Sequence, residues 1–456
     1  MERTRIPGAL ALAAAAACFV ATAAPAAAAP PETTTYSDTY EGSYWDCGYL
    51  VTYTGEVTGT SSVTWRQVGG QSYPFVTDRP DWREIHTRAD TGESFVVRGS
   101  AQFKNVRAEP AADGLYHLVS QQSGRLQVVE DMSGRVVASD RGNLRYDVLT
   151  DAEGNWVEFL AGTPHGPHPG WNGGFCSAAG AIVGSDSADR WTLHPAGTTA
   201  SPLGYGEYLP ADYSDGSGSP LIVFLHGFGE GGDGSTAQLP FVAGTGIPQL
   251  IADNGWPSDR PFVVLAPQFP LPTDESVYDC DAQPWPGSCF MTTQHGLSTA
   301  GQLDPGQAFC WSPEAVRGFL EYALTAYPGV DPSRVYLTGL SCGGFGVWEY
   351  LAAYAADPLV AAAVPIAAEG RPALGTAGCS LGTVPVWAFH GLLDDTVEPA
   401  GSIDTVAALQ ACPGAEALLT TYDDRDHDSW TRTYTGEAAA DYGADIYAWF
   451  LDHTSA

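Results

Sequence analysis

Gly339-Leu340-Ser341-Cys342-Gly343 is the stretch of this chain best suited to covalent chemistry. It follows Val335, Tyr336 and Leu337, three β-formers, and leads into a segment with helical character from about Gly344. A serine between glycines at a strand-to-helix turn fits the G-x-S-x-G nucleophile elbow. The glycines have a physical reason: a serine forced into so tight a turn has a strained backbone and closely crossing chains on both sides. The turn lifts the hydroxyl to the head of a helix, where unpaired N–H groups and the positive dipole end favour a developing oxyanion. A serine that merely caps a glycine-rich turn would look the same locally. The rest of the chain has to decide.

A serine hydroxyl needs a base to take its proton and a carboxylate to orient that base. With an elbow of this kind the order along the chain is Ser, acid, His. Downstream, an apolar strand at 384–389 ends in HGLLDD, which puts Asp394 and Asp395 in the loop at its carboxyl end. The next strand, 417–422, runs into DDRDHDSW and places His427 in the following loop. Both loops leave the sheet at the edge where the elbow stands, the edge at which open α/β sheets bind ligands. Upstream, 221–225 runs into His226-Gly227-Phe228-Gly229-Glu230, the position where a second backbone donor joins the one after the nucleophile. The expected oxyanion hole is the pair of Phe228 and Cys342 amides, with Gly229 as the other possible donor. His226 is expected to pack the loop, because as the base it would come in the wrong order. Gln268, Trp311, Glu369 and Trp430 are expected to border the cleft as substrate contacts, with packing an equally good account of each.

Residues 200–456 resemble the α/β-hydrolase fold, and within it the secreted esterase group containing feruloyl esterases and polyhydroxybutyrate-depolymerase-like enzymes. The stretches that carry the resemblance are GYGEYLP (204–210), LIVFLHGFGEGG (221–232), GLSCGGFG (339–346), FHGLLDD (389–395) and HDSW (427–430). The family pattern H-G-x-x-D implies Asp394 as the acid, with Asp395 the alternative. The resemblance implies a carboxylic ester hydrolase working through an acyl-enzyme, without metal or organic cofactor. Its substrate would be an ester, such as a feruloyl or acetyl ester of a plant polymer, or an extended uncharged polyester. Thermostable esterases with an amino-terminal β-domain are a similar architecture. Two other readings stand beside it. A serine peptidase of the prolyl-oligopeptidase kind shares the fold, but about 160 residues of irregular strands are too few for its propeller. A binding or adhesion protein with an inert hydrolase domain would leave the triad residues unexplained.

The elements that must position these residues are legible as alternation. Strand-like runs at 221–225, 262–266, 335–338, 360–366, 384–389 and 417–422 alternate with helical stretches at 313–326, 344–356, 403–411 and 438–451. Apolar strands between helices predict a mostly parallel sheet covered on both faces, hence an α/β domain over 200–456. Residues 36–195 read differently. Short strand-like runs at 49–53, 94–99, 124–130, 135–138 and 143–149 recur between Gly, Asp, Asn and Pro turns, which predicts an all-β sandwich or barrel domain. It loosely resembles small secreted β-domains through FVVRG (95–99) and GPHPG (166–170), a resemblance that carries no activity. Its His165 and His168 lie among prolines and glycines and read as a loop rather than a metal site. Trp45, Trp65, Trp82 and Trp156 read as core more readily than as a binding face. The domain boundary is expected between 196 and 209.

Residues 1–29 combine Arg3 and Arg5 with an Ala/Leu-rich run and a small-residue cleavage region, the pattern of a secretory signal peptide. No later stretch reaches the ~18 apolar residues of a membrane span, so no membrane insertion is expected. The 456-residue chain has a formal charge of −33, and Lys104 is its only lysine. Such a surface disfavours nucleic acid, anionic membranes and polyanionic substrates. An uncharged ester is an easier partner. Without Cys18 of the signal, eight cysteines remain, an even number that suits an oxidising compartment and a secreted protein. A Cys47–Cys176 bridge would close the first domain, and Cys379 and Cys412 are placed to pair. Cys280, Cys289, Cys310 and Cys342 allow three connectivities, of which Cys280–Cys289 with Cys310–Cys342 is favoured.

Overall fold

The structure is a computed structural model that describes residues 31–45, 47–165, 174–269 and 310–455. The signal segment, His168 and the Cys280–Cys289 pairing lie outside the described residues. The chain forms two compact units, one through Gly184 and the other from Ser185. The expected boundary near 196–209 therefore falls within the second unit. The reason is a pair of short strands, β8 (Trp191–His194) and β9 (Tyr205–Tyr208), which join the second sheet.

The first unit is an antiparallel meander of β1 (Glu32–Tyr44), β2 (Val51–Val68), β3 (Gln71–Arg88), β4 (Ser94–Pro110), β5 (Tyr116–Asp131), β6 (Val136–Thr150) and β7 (Trp156–His165), each paired with the next. The all-β expectation holds for these strands, but the sandwich does not. There is one sheet rather than two, and among the described residues no pairing of β1 with β7 closes it into a barrel. The strands are also longer than the sequence suggested, because glycines that read as turns lie inside them. Gly124 (φ +126°) and Gly142 (φ +135°) face each other in the β5–β6 ladder and bend both strands without ending either. Gly99 lies under the ring of its cross-strand partner Trp82, a core residue. A helix that the sequence pattern did not announce, Phe175–Val183, packs Phe175, Ala178, Ala179 and Val183 against Phe95, Val97 and Val129. The Cys47–Cys176 disulfide ties it to the loop after β1.

In the second unit, β10 (Ser219–Leu225), β11 (Val263–Pro267), β12 (Val330–Leu340), β13 (Ala362–Ile366), β14 (Val386–Gly391) and β15 (Ala417–Tyr422) complete an eight-stranded sheet. Its order is β15-β14-β13-β12-β10-β11-β9-β8. The six strands from β10 to β15 run parallel, while β8 and β9 form an antiparallel edge. Both faces are buried: Leu221, Val223 and Leu225 join one core and Ile222 and Phe224 the other. This two-sided burial is why the strands read as unbroken apolar runs. Helices Pro313–Ala326, Cys342–Ala353, Arg371–Ala377 and Ala400–Gln410 contribute to the first core. Gly246–Ala252 and the carboxyl-terminal helices contribute to the second. The single helix expected at 438–451 is two, Glu437–Tyr442 and Ile446–Leu451. Gly443 at φ +64° breaks them apart, and Asp445 caps the second by accepting from the Tyr447 and Ala448 amides.

Candidate active site

β12 carries the chain to Leu340, and the helix Cys342–Ala353 leaves from the next residue but one. Between them Ser341 has φ +49° and ψ −120°, a strained conformation for any residue with a side chain. The turn is held by the Ser341 amide donating to the Ile366 carbonyl at 2.9 Å. A Cβ on Gly343 would lie 1.9 Å from the Leu225 carbonyl oxygen, and one on Gly339 would lie 2.5 Å from the Gly343 backbone. Both glycines are needed because β10 and the elbow cross with their backbones in contact.

At the apex, Ser341 Oγ lies 3.0 Å from His427 Nε2. His427 Nδ1 in turn lies 2.8 Å from Asp394 Oδ2. The carboxylate fixes the tautomer: Nδ1–H donates to Asp394, which leaves Nε2 to accept from the serine hydroxyl. Asp394 is buried, and its Oδ1 accepts from the Thr396 and Val397 amides at 2.9 and 2.8 Å. Burial opposes its ionisation, but hydrogen bonds from His390, His427 and Val397, with the His427 charge, hold its carboxyl well below the usual carboxylate range. Asp395, the alternative acid, is exposed. Trp430 sets its ring edge-on to His427, with centroids 5.1 Å apart. Of the nearby carboxylates, Asp424 binds Arg432 and Asp428 binds Thr431.

Phe228 opens a short 3₁₀ turn, Phe228–Glu230, directly after β10. Gly227 before it abuts Leu340, since a Cβ there would lie 2.9 Å from Leu340 Cδ1. Cys342 is the first residue of its helix, so its amide has no intrahelical acceptor. The two expected oxyanion donors thus belong to the chains that cross at the elbow. His226 secures this loop from below. It is 1% exposed, its Nδ1 donates to the Gly227 carbonyl at 2.5 Å, and its Nε2 accepts from the Phe269 amide at 2.9 Å. Acceptance at Nε2 requires the neutral ring, and burial lowers its pKa to about 4.

Three of the four expected substrate contacts are engaged within the protein instead, two of them buried. Gln268 is 1% exposed, and its amide is fully engaged: Oε1 accepts from Gly234 N, while Nε2 donates to the Glu230 and Gln238 carbonyls. It pins the loop after β10 rather than facing a ligand. Trp311 is also buried; its Nε1–H donates to the His226 carbonyl and its side chain packs on Gly346. Glu369 is committed to Arg371 through two carboxylate oxygens. Of the four, Trp430 alone packs against the base of the Ser341–His427 pair. The Cys310–Cys342 and Cys379–Cys412 disulfides are both present, so Cys342 offers no thiol beside the serine. Sequence pattern assigned no role to His390 or Ser402, which stand behind Asp394. The available signal was a second histidine four residues before the acid.

No protein-family description and no curated protein sequence matches this chain. Solved structures do. One described as a thermostable esterase is 20% identical over 78% of this chain and 96% of its own, with a TM-score of 0.40. A putative dienelactone hydrolase from Klebsiella pneumoniae subsp. pneumoniae MGH 78578 is 18% identical over 57% of this chain and 98% of its own, at 0.38. The apo form of Thermogutta terrifontis esterase 2 is 17% identical over 58% and 94%, at 0.34. These are distant likenesses, and the functional reading rests on the chain's own geometry.

Proposed function

We propose that this protein is a secreted serine esterase. The observation that carries the reading is the unbroken hydrogen-bond chain from Ser341 through His427 to Asp394, at 3.0 and 2.8 Å, with the serine held at positive φ. Ser341 Oγ attacks the ester carbonyl as His427 Nε2 takes its proton, and Asp394 stabilises the imidazolium that forms. The tetrahedral oxyanion is received by the Cys342 and Phe228 amides at the head of the helix. His427 returns the proton to the departing alcohol, leaving an acyl-enzyme. Water, activated by the same imidazole, then releases the acid. None of these steps needs a metal or an organic cofactor.

Export is supported by the signal-like segment at 1–29 and by three disulfides. The acidic surface favours an uncharged substrate, such as a feruloyl or acetyl ester of a plant polymer, or a polyester. The test is hydrolysis of p-nitrophenyl esters of graded chain length, feruloyl and acetyl-sugar esters and polyester films, with matched anilides as the amide control. Ester turnover that is lost in Ser341→Ala supports the reading, with a fall of about 10⁶ expected for removal of a nucleophile. Preference for the anilides would point to a peptidase instead.

A further inference from the structure

Asp394 Oδ2 is shared by two imidazoles. His427 Nδ1 approaches it at 2.8 Å, and His390 Nε2 at 3.1 Å from the other side. His390 is completely buried at the end of β14. Its Nε2 also lies 3.0 Å from the Val397 carbonyl, which can only accept, so Nε2 carries a hydrogen and donates to both oxygens. On the far side, His390 Nδ1 lies 2.8 Å from Ser402 Oγ on the helix Ala400–Gln410, and that hydroxyl reaches the Ala368 carbonyl at 3.0 Å. Ala368 packs its Cβ where a side chain on Gly344 would go, at 2.7 Å, one turn into the helix that Ser341 heads. A continuous chain of contacts thus runs from the acid back to the elbow.

We propose that His390 is a positioning residue for Asp394, whose donated hydrogen bond fixes the carboxylate and draws off part of its charge, so that the base strength of His427 is set by His390. This rests on the esterase reading above. The two imidazoles compete for one oxygen. A carboxylate oxygen that accepts from a second donor is a weaker partner for the imidazolium formed at His427. Without that donor more negative charge faces His427, which then holds its proton more tightly. His390 does not touch the reacting atoms, and its effect travels through Asp394 alone. The other ionisable groups nearby stay the same in every variant compared: Asp395 and Glu398 in the acid loop, the Glu369–Arg371 pair beside Gly401, Asp404 on the helix of Ser402, and Arg425, Asp426 and Asp428 in the loop of His427.

The experiment is the pH profile of kcat/KM on a neutral p-nitrophenyl ester for wild type, His390→Leu, His390→Gln and Ser402→Ala. His390→Leu removes the donor, and its midpoint should rise by about half a pH unit or more. His390→Gln keeps an N–H near the Nε2 position and should stay close to wild type. Ser402→Ala loosens the ring from behind and should move the midpoint the same way by less. A folded His390→Leu with a wild-type midpoint would overturn the proposal, as would equal shifts in the Leu and Gln variants, which would mean packing alone. If His390→Leu does not fold, Ser402→Ala decides, and an unchanged midpoint there counts against it. Fluorophosphonate labelling of wild-type Ser341 separates the two claims. Without labelling the esterase reading itself fails; with labelling and unmoved midpoints, only the role of His390 does.

Discussion

Both units place glycines under something bulky, and what lies above them differs. At four glycines of the first unit the neighbours are rings: Gly42 lies under Tyr53, Gly55 under Tyr40, Gly59 under Tyr36 and Gly99 under Trp82, each from the paired position of the adjacent strand. In the second unit, around the elbow, the neighbours are main chain: the Leu225 carbonyl over Gly343, Gly343 itself over Gly339, and the Ile366 carbonyl close to Gly344. A ring can tilt away from an added methyl group, while a crossing strand cannot. The meander thus uses glycine to seat aromatic side chains across a long sheet, where Tyr36 and Tyr40 reach over it to the carboxylates of Asp78 and Glu84. Around the elbow the α/β unit uses it to bring strands together until a serine, an imidazole and a carboxylate meet. Charge is divided in a related way. Most of the acidic excess lies in the second unit, whose only Lys or Arg residues are Arg190, Arg260, Arg317, Arg334, Arg371, Arg425 and Arg432.

This contrast can be broken at several points. The largest effect should come from the acid. Asp394→Asn removes the carboxylate that orients His427 and should lower turnover by about 10⁴, whereas Asp395→Asn should change it little. Equal small losses in steady-state assays of the two variants would mean the acid has been misplaced. Next comes the pair Gly343→Ala and Gly99→Ala. The first drives a methyl into a carbonyl and should abolish ester turnover or folding. The second displaces Trp82 and should lower stability by about 1–3 kcal/mol while leaving turnover intact. Denaturant melts and turnover on both variants sharpen the comparison, and a well-folded, active Gly343→Ala would break it.

A smaller and pH-dependent effect should come from His226. Its folded pKa, about 4, lies below the ordinary 6.5, so between these values the unfolded chain binds a proton that the folded one refuses. Stability from this group is therefore complete above about pH 6.5 and declines as the pH falls towards 4, by about 3 kcal/mol in all. Melting temperatures of wild type and His226→Gln across that range should converge on acidification. Parallel curves would show that His226 is not a buried neutral ring.

The legible parts of this molecule were those set by local pattern. The helix Pro313–Ala326 coincides with its sequence prediction because Ser312 caps it and Pro313 opens it. Ser341, Asp394 and His427 were readable because each sits in a short loop directly after an apolar strand, and the parallel sheet fixes which edge those loops share. What escaped depended on distant chain. The inward turn of Gln268 and Trp311 answers to the loop after β10, whose backbone groups they satisfy, and no local signal announces that. The antiparallel pair β8 and β9 was missed because each strand is only four residues long and Gly206 serves as a seat for Trp191. The meander was cut into short strands for the opposite reason, since its internal glycines bend strands that continue beyond them.

The most direct test of a Ser341 nucleophile is the site of reaction with a fluorophosphonate, read by mass spectrometry of the digested protein. One adduct is predicted, on the peptide containing Ser341, formed rapidly by the wild type, slowly by His427→Ala and not at all by Ser341→Ala. An unlabelled wild-type protein, or an adduct on any other residue that survives Ser341→Ala, would contradict it.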